Sequence, residues 1–219
     1  MTLQRALRRF FAWPLAGWFA SVAAGAPLQA GDLFDEIHRR GAPIEKSMTA
    51  VAARFVETTS STLLTTPVVS RGTLIARRPD QVRLEYTGTD PRTVVIANGS
   101  LTLDWPRRAL HDARDIRSTL RRAQRFVTAS SPAELRKHFE IVAIEDQARP
   151  TTWQLTFIPK RRQLREGVSR VQLWIDQGSM LLQAMRLDYP SGDSTLMEFS
   201  DVRLNPSIAR DAFPSPRAR

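Results

Sequence analysis

Short runs in which apolar and polar residues alternate recur along most of this chain, and they limit its fold more than any other feature. The clearest run, QVRLEYT, places Val82, Leu84 and Tyr86 at every second position between polar residues. Such a run predicts a strand with one buried face, because alternate side chains of a strand point to the same side of a sheet. About nine or ten antiparallel strands of this kind follow Met48, and Asn98-Gly99 predicts a tight hairpin turn between two of them.

Three segments have helical spacing instead. The first, 32–40, is predicted to end at Gly41 and Pro43, because both residues disfavour the interior of a helix. The second, 112–129, is basic and amphipathic. In the third, SPAELRKHF, Ser131 is suited to cap the helix and Pro132 to occupy its first position. The sequence therefore predicts a mainly β (α+β) fold, in which one strongly curved antiparallel sheet surrounds a few helices.

The first thirty residues have the three regions of a secretory signal peptide. A start with three arginines and no acid precedes an apolar stretch that Pro14 and Gly17 interrupt, and small residues follow. We expect residues 1–30 to be a cleaved signal peptide, cut after Ala26 or Ala30, and residues 31–219 to form a single domain. Export to the periplasm follows from this interpretation, and removal of the three arginines lowers the net charge from +10 to +7.

Few residues are suited to catalysis or metal binding. The chain has no cysteine, which excludes disulfides and thiolate chemistry, and its three histidines lack metal-ligand spacing. We therefore expect each histidine to be a surface side chain and expect no cofactor. The basic excess is dispersed and has no nucleic-acid motif, so we expect no nucleic-acid partner. A cluster of Asp104, Asp112 and Asp115 is the one arrangement from which a hydrolase could be built.

The apolar faces of the strands leave two possibilities open. Helices that cover the sheet incompletely would leave a hydrophobic cavity, whereas helices that cover it fully would complete an ordinary core.

Several motifs, in their order along the chain, resemble the LolA-like family of periplasmic carriers of outer-membrane lipoproteins. They are ARFVETT, GTLIARRP, VRLEY, PRTVVIANGSLTLDWP and NPSIARDAFPSP. Each motif is short, and their order and spacing carry the resemblance, which extends over nearly the whole chain after the leader.

The resemblance implies an unclosed antiparallel half-barrel, with an N-terminal helix and mid-chain lid helices covering an apolar concave face. It implies a carrier that is not an enzyme and that needs no cofactor. Acylated lipoprotein or lipid cargo would come from an inner-membrane ABC-type or other transporter and pass to an outer-membrane acceptor, and we expect a monomer. The arginine before the proline, Arg78 in this chain, would tether the lid of the empty protein. Its neighbour Arg77 is expected on the opposite, solvated face.

Strand alternation then gives a set of residues whose side chains are expected to line the cargo cavity. They are Leu74, Val82, Leu84, Tyr86, Val95, Leu101, Leu103, Trp105, Trp153, Leu155, Phe157, Leu173 and Ile175. A register slip of one residue would reverse the face of any strand.

Three departures from the family pattern affect the expected cargo. Val82 and Leu84 stand where the family often has aromatic residues, the mid-chain helices are rich in arginine, and the hairpin return LTLDWP keeps only one aromatic residue, Trp105. We therefore expect the cargo to be a lipoprotein or another lipid-linked molecule. The alternatives are a sensor or regulatory half-barrel that binds a membrane protein partner, and the hydrolase.

Overall fold

Eleven strands form one antiparallel sheet in residues 32–118, 120 and 131–214, the part of the chain that this computed structural model describes. The strands are β1 Ala50–Ser60, β2 Val68–Arg77, β3 Gln81–Thr87, β4 Arg92–Ala97, β5 Ser100–Trp105, β6 Leu110–Asp115, β7 Phe139–Glu145, β8 Thr152–Pro159, β9 Arg170–Asp176, β10 Leu182–Asp188 and β11 Ser194–Leu204. The helices are α1 Leu33–Ser47, α2 Pro132–His138 and α3 Arg162–Arg165, with a single 3-10 turn at Pro106–Arg108.

The sheet is open. Its strand order is β6-β5-β4-β3-β2-β1-β11-β10-β9-β8-β7, and within the described residues β6 and β7 form the two edges and do not pair with each other. The first and last strands of the chain lie side by side at the centre, where Phe55 of β1 pairs with Phe199 of β11. The structure confirms the predicted mainly β, unclosed half-barrel, with one or two more strands than the alternation predicted.

The strand register defines two ends of the sheet. The Arg78 rim comprises the turns at 78–80, 98–99, 146–151 and 177–181, and the Leu63 rim comprises the connections at 61–67, 88–91, 106–109, 160–169 and 189–193. At 98–99 both residues have positive φ, 54° and 75°, which confirms the predicted hairpin turn.

Helix α1 crosses the inner face of the sheet, and it is longer than predicted. Asp32 caps its first turn by accepting a hydrogen bond from the N–H of Phe34, and Phe34 and Ile37 are buried. The predicted end at Gly41 and Pro43 is wrong, because the helix continues to Ser47. Gly41 is itself buried, so packing against the sheet outweighs the poor helix propensity of both residues.

The middle of the chain also departs from the prediction. Residues 112–115, expected as the start of a basic helix, belong to β6 and pair with β5. A helical turn begins only after Ile116, whose carbonyl accepts a hydrogen bond from the N–H of Leu120 at 2.8 Å. The rest of the predicted helix, 121–129, lies outside the described residues. Helix α2 is confirmed, with Ser131 Oγ accepting from the N–H of Glu134.

Apolar residues pack on both faces of the sheet. The main core lies on the inner face beneath α1 and α2. A smaller cluster lies on the outer face, where Phe213 packs against Val95 and Ala97 and brings the C-terminal segment 205–214 across β2–β4.

The expectations for His38 and for the signal peptide remain to be compared with the structure. His38 is buried in α1 with its ring edge-on to Phe34 at 6.2 Å, so its prediction as a surface residue is wrong. The predicted signal peptide lies outside the described residues and stays a prediction. Among the residues that are described, no helix has the length and apolarity needed to cross a bilayer.

Candidate functional site: an apolar pocket beneath the first helix

A pocket of about 140 Å³ lies between the C-terminal half of α1 and the central strands of the sheet, next to the Arg78 rim. Its walls are almost entirely apolar and come from α1 and its C-cap (Gly41, Ile44, Glu45, Met48), β1 and β2 (Val51, Ala53, Leu74), β9 (Val171, Leu173, Ile175), β10 and the turn before it (Met180, Leu181, Leu182, Met185) and β11 (Phe199, Val202, Leu204). Glu45 is the one charged residue among them.

Arg78 joins the sheet to the end of the helix that covers this pocket. Its Nη2 donates to Glu45 Oε1 at 2.6 Å, and its Nη1 donates to the Glu45 carbonyl at 3.2 Å. The Glu45 side chain is only 6% exposed, whereas that of Arg78 is 31% exposed. A cation at this position also interacts favourably with the negative end of the helix dipole. One side chain therefore satisfies both the last turn of α1 and its buried carboxylate.

The β2–β3 hairpin explains why Arg78 and not Arg77 reaches the helix. Arg77 pairs with Gln81 as the last residue of β2, so Arg78 is the first residue of the turn. The N–H of Arg78 donates to the Thr49 carbonyl at 2.9 Å, which holds the turn against the start of β1. Arg77 lies on the outer face as predicted, but it is half-buried because its guanidinium stacks 5.0 Å from the Phe213 ring. Its prediction as a solvated residue is wrong.

A second arginine–glutamate pair lies on the inner face near the Leu63 rim. Glu57 Oε2 accepts from the hydroxyl of Tyr86 at 2.7 Å, and Glu57 Oε1 lies 3.6 Å from Nη2 of Arg92. The Arg92 guanidinium stacks 3.7 Å from the Tyr86 ring and 5.3 Å from the Trp105 ring. Burial, followed by the charge of Glu57, raises the pKa of Tyr86 well above its usual range. Side chains of β1, β3, β4 and β5 thus form one polar cluster inside the sheet.

Gly72 makes room for this cluster. A Cβ at this position would lie 2.2 Å from the Glu85 carbonyl oxygen and 2.7 Å from the Phe55 ring, both closer than atoms can approach. Without a side chain on β2 there, the rings of Phe55 and Tyr86 meet edge-on at 5.0 Å. Glycine at this position is therefore a packing requirement of the inner face.

The three aspartates considered for hydrolysis do not come together. Asp104 lies opposite His111 near the Leu63 rim, whereas Asp115 pairs with Ser100 at the other end of the same two strands. Asp112 accepts a hydrogen bond from its neighbour Arg114. Among the described residues no group of three or more metal-ligating side chains gathers at one point.

A protein-family model accounts for most of the chain. The model described as outer membrane lipoprotein carrier protein LolA matches residues 46–215. The chain belongs to the LolA family. The match begins in the last turn of α1 and includes every strand of the sheet. No curated protein sequence matches the chain.

The chain is also similar to solved structures that are distant from it in sequence. The Mycobacterium tuberculosis lipoprotein LppX is 15% identical with a TM-score of 0.49, and the match covers 79% of this chain and 96% of that one. MucB in the Pseudomonas aeruginosa MucA/MucB complex has the same identity and TM-score, over 83% of this chain and 60% of that one. A LolA superfamily protein from Nitrosomonas europaea is 8% identical with a TM-score of 0.38, over 77% and 91%.

Most of the residues predicted for the cavity of this LolA-family chain lie in its inner core. Twelve of the thirteen belong to the main cluster: Leu74, Val82, Tyr86, Leu101, Leu103, Trp153, Leu155, Phe157, Leu173 and Ile175 are buried, while Leu84 and Trp105 are partly buried. Only Leu74, Leu173 and Ile175 line the pocket. The prediction that Val95 faces the cavity is wrong. Val95 packs on the outer face with Phe213, and its neighbour Val94 points inward instead.

The prediction from sequence does not include the part of the site that the helix supplies. Glu45 lies beyond the predicted helix end, so the predicted helix offers Arg78 no partner at that position. A signal was present, because Ile37, Gly41, Ile44 and Met48 follow the i, i+4, i+7, i+11 spacing of one helix face. The Gly-x-Pro sequence obscured that spacing.

Proposed function

We propose that this protein is a periplasmic carrier that holds the acyl chains of a lipoprotein, or of a related lipid-linked cargo, between α1 and the inner face of the sheet. The observation that carries the proposal is the apolar pocket beneath α1, closed at its rim by the Arg78–Glu45 pair. Membership of the LolA family supports the same function, with an inner-membrane transporter as donor and an outer-membrane protein as acceptor. Binding and release of this kind need no covalent chemistry.

The size of the pocket indicates that α1 must move for cargo to enter. A cavity of about 150 Å³ holds a ligand of roughly the size of benzene. The pocket is about 140 Å³, so it accommodates only part of one acyl chain while α1 stays in place. In this proposal the described structure is the closed form of the carrier, and the C-terminal half of the helix lies in the space that cargo would take.

The Arg78–Glu45 pair is suited to set how firmly cargo is held. A hydrogen bond to a charged group contributes about 1.5–3 kcal/mol, and opening α1 breaks two of them. At about 0.8 kcal/mol per buried methylene, that loss offsets the burial of roughly four to eight methylene groups. The one-third exposure of Arg78 reduces the upper part of this range. A carrier with this opening cost retains long acyl chains yet can still transfer them.

Native mass spectrometry of protein purified from the periplasm tests the proposal. We expect lipid or lipoprotein bound at one copy per chain. Ligand-free protein in a stable complex with one membrane protein would contradict the carrier and support the sensor function instead.

A fluorescence experiment tests the movement of α1. Because the chain has no cysteine, Lys46→Cys at the exposed end of α1 carries a single environment-sensitive dye. We expect its emission to change when a synthetic triacylated lipopeptide is added, while dye at Gln147→Cys in the exposed β7–β8 turn, the matched control, does not respond. Equal responses at both positions would contradict a movement confined to α1.

A further inference from the structure

The β1–β2 connection is an apolar hairpin tip that projects beyond the sheet. Residues 58–70 form the longest uncharged stretch that follows α1, thirteen residues without one Asp, Glu, Lys or Arg. Within it Leu63 is 67% exposed, Leu64 38%, and Val68 and Val69 51% each. β3 ends at Thr87, opposite Arg71, so the first three residues of β2 extend past it.

Basic side chains flank this tip along the same rim. The register places Arg170 beside Asp188, Asp188 beside Ser194, and Ser194 beside Ser60, next to the hairpin tip. At about 4.8 Å per strand, Arg170 is roughly 15 Å away. The segment 160–170 that ends there has five basic residues and one acid, Glu166, and all five basic side chains are exposed.

The other side of the tip is basic too. Arg71 follows the uncharged stretch and is exposed, and Arg107 and Arg108 occupy the turn between β5 and β6 on this rim. An exposed apolar tip between two basic regions has the composition of a surface that enters the headgroup layer of an anionic membrane. The apolar side chains gain by burial among acyl chains, and the basic side chains gain from the negative surface potential.

We propose that the Leu63 rim docks on anionic phospholipid bilayers, with Leu63, Leu64 and the two valines inserted at the headgroup boundary. We expect the docking to be reversible, because four apolar side chains on a hairpin bury much less surface in a bilayer than a membrane-spanning segment does. It places the Arg78 rim, and with it the pocket, at the end of the molecule away from that bilayer. The proposal does not depend on which cargo the pocket binds.

Co-sedimentation with vesicles tests the proposal. We expect the protein to bind vesicles that contain phosphatidylglycerol and not to bind vesicles of pure phosphatidylcholine. Binding should weaken as the salt concentration rises. Leu63→Ser with Leu64→Ser should reduce binding at least about tenfold, and Arg162→Gln with Arg165→Gln by about thirtyfold. All four side chains are exposed or nearly so, which keeps the fold intact.

Matched controls separate this surface from general attraction. Val142→Ser with Ile144→Ser removes apolar side chains of comparable exposure on β7, 46% and 47%. Arg203→Gln with Arg210→Gln removes two exposed charges near the other end of β11. Both pairs should bind like wild type. Equal losses in the controls, or no binding of wild type to phosphatidylglycerol vesicles, would overturn the proposal.

A single dye gives a second, independent measurement. Dye at Leu63→Cys should shift to shorter emission wavelengths when phosphatidylglycerol vesicles are added, and dye at Val142→Cys should not. If the Leu63 dye responds to a purified protein partner but not to vesicles, the tip is a protein interface and the lipid proposal is wrong.

Discussion

The two arginine–glutamate pairs on the inner face are chemically alike but connect different parts of the molecule. Arg92 and Glu57 both belong to the sheet, and their side chains are 12% and 10% exposed. Arg78 belongs to the sheet but Glu45 to α1. Separating Arg92 from Glu57 therefore requires the sheet itself to open, whereas separating Arg78 from Glu45 requires only that one helix end move. We propose that the pair within the sheet stabilises the fold, whereas the pair between sheet and helix limits access to the pocket.

The largest effect is expected when the pair within the sheet is broken. Arg92→Leu leaves the Glu57 carboxylate buried without its cation and removes the guanidinium that stacks on Tyr86 and Trp105. We expect a loss of about 3–5 kcal/mol in the free energy of unfolding, measured by urea denaturation.

Two further variants identify the cause of that loss. Arg114→Leu on the edge strand β6, whose side chain is 40% exposed, should cost under about 1 kcal/mol. Adding Glu57→Gln to Arg92→Leu removes the buried charge, so it should recover part of the lost stability. If the double variant is no more stable than Arg92→Leu, the unpaired charge is not the reason.

The next effect concerns the pair between sheet and helix. Arg78→Leu should leave the fold of the sheet intact and should strengthen binding of a triacylated lipopeptide by about tenfold or more. Opening α1 then no longer breaks two charge-assisted hydrogen bonds, and it lets water reach the Glu45 carboxylate, which is 6% exposed and has lost its cation. Titration of the dye at Lys46→Cys measures the affinity.

Arg77→Leu is the matched control for this variant. It removes the same charge from the adjacent residue, but its side chain lies on the outer face against Phe213. We expect its lipopeptide affinity to equal that of wild type. If Arg78→Leu binds and releases the lipopeptide like wild type, Arg78 does not tether α1.

The sequence predicted a structural feature correctly where the pattern that specifies it lies within a few neighbouring residues. The alternation in β3 and β5 is unambiguous, so the inward residues of those strands were placed correctly. Val94–Ala97 is apolar throughout, so no alternation of apolar and polar residues tells which side chains point inward. Val95 was therefore assigned to the wrong face. Its outer partner, Phe213, comes from a segment more than a hundred residues away. No local pattern could have supplied that contact.

Of the two residues at the rim of the pocket, the sequence indicated one and not the other. Arg78 was singled out through the family resemblance, and alternation placed it opposite Arg77. Its partner Glu45 was missed because Gly41 and Pro43 interrupt the helix pattern, and only packing on the sheet lets α1 continue through them.

A smaller effect is expected from the tyrosine that joins the polar cluster. Tyr86→Phe removes the hydroxyl that donates to Glu57 and should cost about 1.5–3 kcal/mol. Because the pKa of Tyr86 is raised above its unfolded value, its contribution is fully present below about pH 10 and is lost as pH rises further. Wild type should therefore lose stability above pH 10 more steeply than Tyr86→Phe, in parallel urea titrations. Equal slopes would contradict a raised pKa.

The smallest effect is expected at the other end of α1, where charged contacts are exposed. Arg136 binds Asp32 at 2.8 Å and Asp35 at 2.7 Å, and this hydrogen bonding lowers the pKa of Asp32. Asp32→Asn keeps an acceptor for the Phe34 N–H but loses the ion pair, so it should cost under about 1 kcal/mol. Asp32→Ala also loses the cap and should cost about 1 kcal/mol more.

The pH dependence distinguishes these two contributions at the N-terminal end of α1. Asp32 has a lowered pKa in the folded state, so its ion pair stabilises the protein above about pH 4 and is lost as pH falls through the folded pKa. The stability difference between wild type and Asp32→Asn should therefore shrink below pH 4, while the difference between Asp32→Asn and Asp32→Ala should persist. Neither variant should change lipopeptide affinity, because the helix opens at its other end. A change as large as that of Arg78→Leu would show that α1 moves as a whole and not from the Arg78 rim.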